Sequence, residues 1–65
     1  MLEKAVGIVY TNHKGVRGFR WVIPLSWRFG TNQWYPEKQW LMNAYDLEKR
    51  AEREFACDHI HTWER

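Results

Sequence analysis

Residues 19–29 read FRWVIPLSWRF, and the period of that stretch decides the fold. Its odd positions are Phe19, Trp21, Ile23, Leu25, Trp27 and Phe29, and its even positions are Arg20, Val22, Pro24, Ser26 and Arg28. Successive side chains of a strand point to opposite faces, so an extended chain carries one apolar ribbon backed by a partly basic one. A 3.6-residue repeat would scatter the same aromatics around a helix axis. Pro24 has no N–H to give to a sheet ladder and so marks an edge, a bulge or a sharp bend. One long strand, bent near Pro24, is expected to form the wall of the core.

Working outward from it, residues 4–11 alternate as a preceding strand, with Val6, Ile8 and Tyr10 on one face. Asn12-His13-Lys14-Gly15 supplies turn chemistry, because Asn and Gly both tolerate positive φ, and a hairpin should join the two strands. Residues 30–36, GTNQWYP, form a loop by composition. Residues 39–46 read as a third strand, with Trp40, Met42 and Ala44 on one face and Leu41 and Tyr45 on the other. Residues 43–55 are ambiguous. Propensity alone favours a helix, yet Ala44, Leu47, Ala51 and Phe55 make no clean stripe. The competing reading is a hairpin that turns at 47–50 and continues as a fourth strand over 51–57, with a short turn or strand over 58–63.

Sixty-five residues make one domain, 1–65, with no room for a second core. Five tryptophans, three tyrosines and three phenylalanines supply the bulk that so small a core needs. The single cysteine excludes an internal disulfide and fits a reducing, cytoplasmic setting. No long apolar run or signal-peptide pattern is present, so no membrane partner is expected. The formal net charge of +2 is unevenly spread. No acid stands between Glu3 and Glu37, where Lys4, Lys14, Arg17, Arg20 and Arg28 fall, whereas acids prevail after residue 40. Such a basic half interleaved with aromatics is either an electrostatic footprint for an anionic partner or a solvated face whose arginines pair with the acidic half.

The order and spacing of Ile8-x-Tyr10, a Gly turn, Arg20-x-x-x-Pro24, Trp40-Leu41, Ala44-Tyr45-Asp46, Arg53-x-Phe55 and Ile60 resemble those of a WYL domain. The likeness runs from about residue 5 to 61, with Trp40-Leu41-Met42 in place of the naming triplet. It implies a small SH3-like β-barrel of four to five antiparallel strands with at most a short C-terminal helical turn, and so favours the hairpin over the helix. It also implies a regulatory module that binds nucleic acid or a nucleotide-like ligand. Carried over by position, Tyr10, Arg20, Trp40, Tyr45 and Arg53 are the candidate site residues. Arginine pairs bidentately with phosphate, and a tyrosine or tryptophan face stacks a base. Arg20 and Arg53 are expected to project from adjacent strands toward one site, with Tyr10 or Tyr45 as its wall, and Arg17 and Arg28 extend the basic set. Each has a structural alternative, Trp40 as a core anchor and the arginines as bridges between strands.

Other chemistry is thinly represented. Cys57, His59 and His61 alternate, and His13 could make a fourth zinc ligand, but the spacing matches no standard finger and no metal or cofactor is expected. Ser26 lies mid-strand without a nucleophile elbow, and no glycine-rich phosphate loop occurs, so an enzyme is not expected. Trp34-Tyr35-Pro36 reads as a flap closing the barrel, with an exposed aromatic contact as the alternative. The expected function is therefore a non-catalytic module binding single-stranded nucleic acid or a nucleotide. The alternative is an interaction module in which exposed tryptophans pair with a second copy, as a homodimer.

Overall fold

The computed structural model describes residues 4–64, and the 19–29 ribbon lies within a single strand of 14 residues, β2 (Arg17–Gly30). Before it runs β1 (Val6–Thr11), and after it come β3 (Gln39–Asp46), β4 (Ala51–Ala56) and β5 (Ile60–Glu64). Among the described residues these five antiparallel strands make one sheet in the order β4-β3-β2-β1-β5. A 3-10 turn at Cys57–His59 carries the chain from the β4 edge back to β1, where β5 pairs. The protein is all-β and barrel-like, as expected.

The expected wall of the core is the principal correction. Cross-strand partners share a face, and β2 changes face at Leu25. Pro24 pairs with Ala44 and Ser26 with Asn43, so Leu25 is the extra residue of a bulge. Ahead of the bulge the even positions face inward, Val22 opposite Asp46 and Pro24 opposite Ala44, while Phe19 and Trp21 face out. Beyond it the odd positions Trp27 and Phe29 lie opposite Met42 and Trp40. One ribbon thus becomes two patches: Phe19, Trp21, Leu25, Trp27 and Phe29 are all exposed, and of the odd positions Ile23 alone is buried. Pro24 stands in the middle strand of the sheet, where its missing N–H is accommodated by the bulge rather than by an edge.

The core comes instead from Ile8, Tyr10, Val22, Met42, Ala44 and Phe55, with Tyr10 and Phe55 edge to face at 4.9 Å. Fully burying a side chain of this size contributes about 1.5–3 kcal/mol. Trp40 is not a core anchor. It is 55% exposed and meets Phe29 edge to face at 5.5 Å. A second small cluster joins Leu41 and Ala56 to Tyr35, which the loop after β2 lays over the other face. The flap reading therefore holds for Tyr35, while Trp34 beside it is exposed.

Residues 43–57 form the hairpin, not a helix. The buried Asp46 explains the turn: its Oδ1 accepts from the backbone N–H of Glu48 and Lys49 at 2.9 and 3.1 Å. Local bonding of this kind competes with helix propagation. Arg50 takes up a left-handed φ of 58°, and its N–H closes the turn on the Asp46 carbonyl at 2.7 Å. The Leu47 N–H donates to the Trp21 carbonyl, tying this turn to β2. The β1–β2 turn is built on the same principle. Asn12 Oδ1 accepts from Lys14 and Val16 N–H, and Gly15 adopts φ 83°.

Candidate ligand pocket

The folding of the β1–β2 turn and the loop after β2 toward the β4 edge leaves a pocket of about 290 Å³. Its walls are aromatic: Tyr10 from β1, Phe55 from β4, and Trp34 and Tyr35 from the loop. Asn32 holds that loop in place. Its Oδ1 accepts from the N–H of Trp34 and Tyr35, and its Nδ2 donates to Glu54 Oε1 at 3.0 Å. The rings are tied down in turn. Trp34 lies 5.6 Å from the His13 ring, and Tyr35 meets His59 edge to face at 5.3 Å. Tyr10 and Tyr35 are each 8% exposed, and burial, with the neighbouring Tyr10 second, raises the Tyr35 phenol above its ordinary range. The Tyr35 phenol is therefore a neutral hydroxyl at neutral pH.

The polar lining consists of Asn12, His13, Asn43, Glu52, Arg53 and Glu54. Asn12 Oδ1 is occupied by the turn, which leaves its amide N–H groups as donors. Asn43 Nδ2 donates to Glu52 Oε1 at 3.0 Å, which leaves its oxygen as an acceptor. Glu54 is neutralised. Arg28 Nε and Nη2 donate to its two carboxylate oxygens at 2.6 and 2.9 Å. Those hydrogen bonds hold its carboxyl below the usual range against the opposing effect of burial, with Asn32 and the Arg28 charge adding to them. Arg53 and Glu52 then offset each other, so the pocket is close to neutral and rich in π faces. So lined, the pocket offers aromatic surface together with hydrogen-bond donors and acceptors.

The sequence-derived candidates divide sharply. Tyr10 and Arg53 line the pocket; Arg17, Arg20, Arg28, Trp40 and Tyr45 are not among its lining residues. Arg20 bridges strands instead. Its Nη1 donates to Glu48 Oε1 at 2.9 Å, and its Nε lies 3.5 Å from Asp46 Oδ2. Neither of those last two atoms has a hydrogen-bond partner among the described residues, so the contact is one of charge. Arg20 and Arg53 also do not stand on adjacent strands, because β3 runs between β2 and β4. Tyr45 pairs with Ile23 and Glu52, and Arg17 is exposed opposite Thr11 at the start of β2. The basic N-terminal half and acidic C-terminal half thus meet as ion pairs at Arg20 and Arg28.

Trp34, Tyr35, Asn12, Asn43 and Glu52 were not in the candidate set. Asn12, Trp34 and Tyr35 signal turn and loop chemistry, and Asn43 and Glu52 are polar positions of β3 and β4; such signals place the backbone but not the cavity it closes. Cys57, His59 and His61 do not share an extended face, because residues 57–59 turn. His59 Nδ1 donates to the Thr11 carbonyl at 3.3 Å, and His61 Nε2 lies 2.7 Å from Thr11 Oγ1. Burial, helped by Asp58, raises the Cys57 thiol above its ordinary range. Among the described residues no group of three or more His, Cys, Asp and Glu is disposed to hold a metal ion. No helix among them is long and apolar enough to cross a membrane. The chain matches no protein-family model, no curated protein and no solved structure.

Proposed function

We propose that this chain is a non-catalytic, regulatory binding module that takes one base of a single-stranded nucleic acid, or a nucleotide, into the β4-edge pocket. The observation that carries the reading is the meeting of Tyr10 and Arg53 with Trp34, Tyr35 and Phe55 around one cavity. Base stacking on an aromatic side chain contributes about 1–3 kcal/mol per base. The Asn12 amide and the Asn43 oxygen offer a donor and an acceptor to a base edge. Arg53 supplies the planar fork for one phosphate. The resemblance to a WYL domain supports the same reading, since Tyr10 and Arg53 are two of the positions it carries over.

The ion pairs narrow the reading. With Arg20 and Arg28 occupied by carboxylates, phosphate recognition falls to Arg53, and stacking outweighs charge. Oligothymidine binding should therefore depend only shallowly on salt. A single neutralised phosphate on a single strand gives a slope of about −0.7 in log affinity against log salt. Arg53→Ala should abolish that slope while leaving a weaker, stacking-driven affinity. Trp34→Ala should weaken binding about tenfold or more at every salt concentration, consistent with the loss of one stacking contact. A slope several times steeper, or affinity indifferent to both substitutions, contradicts the pocket as the site.

A further inference from the structure

A different observation carries an interaction surface. Ahead of the bulge, the outer face of β5, β1 and β2 presents Trp21 beside Gly7 and Glu64, Phe19 beside Val9 and Thr62, and Arg17 beside Thr11. Phe19 and Trp21 are 41% and 47% exposed and meet edge to face at 5.3 Å. Gly7 makes room for them, since a Cβ there would lie 2.6 Å from Phe19 Cζ. The result is an aromatic ridge on β2 beside the smaller Val9, Thr11 and Thr62, with His61 Nε2 2.7 Å from Thr11 Oγ1. Contiguous exposed apolar faces rimmed by polar residues mark protein-binding sites.

We infer that this face docks on a second copy of the chain, by a two-fold axis passing near Val9. The charges favour that occupant. Arg17 closes the face at one end on β2, and Glu64 closes it at the other end on β5. Val9 lies one strand and one cross-strand row from each of them. A two-fold axis lying in the interface through Val9, perpendicular to the Arg17–Glu64 diagonal, therefore places Arg17 of one copy over Glu64 of the other, twice. An isologous contact needs this self-complementarity, residue i meeting j and j meeting i.

Sedimentation equilibrium of the full chain over rising concentration tests the inference. A dimer mass is expected at high concentration. Trp21→Glu should shift the midpoint at least tenfold upward, whereas Trp27→Glu should not. Arg17→Glu and Glu64→Arg should each weaken association, and the two together should restore it, with circular dichroism verifying that every variant is folded. A monomer at all concentrations overturns the inference. So does dissociation by Trp27→Glu but not by Trp21→Glu, or a double charge reversal no better than either single one. None of these outcomes bears on the pocket, which lies at the β4 edge.

Discussion

Arg28 on β2 reaches past β3 to grip Glu54 on β4 with two parallel hydrogen bonds, at 2.6 and 2.9 Å. The pair makes a prediction about acid. Arg28 first, and Asn32 after it, depress the Glu54 carboxyl in the folded state, against the opposing effect of burial. A depressed folded-state value means that the pair contributes stability above the unfolded value, about pH 4.3, and loses it as pH falls through the folded value. Glu54→Gln should lower the melting temperature at neutral pH and flatten the acid limb of the stability profile. Parallel profiles for variant and wild type would contradict the pairing.

Arg20 is expected to matter for stability and not for ligand. Arg20→Ala leaves the buried Asp46 carboxylate without its cation, at a cost of about 1–3 kcal/mol after allowing for the partial exposure of the arginine. Arg20→Lys should recover part of the loss, because the charge returns without the fork. Denaturant titration measures the loss, and oligothymidine affinity of the folded variant should match wild type. A folded Arg20→Ala protein with weakened binding would return Arg20 to the ligand site.

Gly7→Ala probes the outer aromatic ridge. The added methyl must push the Phe19 ring aside, since it would stand 2.6 Å from Cζ and 2.9 Å from Cε1. Replacing a mid-strand glycine returns about 0.5–1 kcal/mol of backbone entropy, and the displaced ring is already half exposed. Net stability should change by under about 1 kcal/mol, while the near-ultraviolet dichroism of the Phe19–Trp21 contact should change plainly. An unaltered aromatic spectrum would mean that the ring does not lie over Gly7.

Period and turn chemistry were enough to place the strands. The alternation of Val6, Ile8 and Tyr10, the Asn12–Gly15 turn and the third strand at Gln39–Asp46 all appear as read. What alternation could not reveal was which face of β2 turns inward. A bulge shifts the phase by one residue, so Leu25 reverses the sense of every position after it. Pro24 signalled the irregularity without fixing its kind. The site was legible only at Tyr10 and Arg53. Asp46, Glu48 and Glu54 lie 26–28 residues away in sequence from the arginines they neutralise, and no local pattern records that pairing. Trp34 and Tyr35 reach the pocket through a loop whose path is set by Asn32, a residue that composition marks only as a breaker.

The most direct test of the account is a backbone amide chemical-shift map of the protein titrated with thymidine monophosphate and then with short oligothymidine. The perturbed amides should cluster at residues 10–13, 34–35, 43 and 52–55, with Gly7, Phe19 and Trp21 unmoved at a protein concentration below self-association. Shifts confined to Phe19, Trp21, Trp27, Phe29 or Trp40, or no shift at all at low salt, would contradict the pocket as a base-binding site.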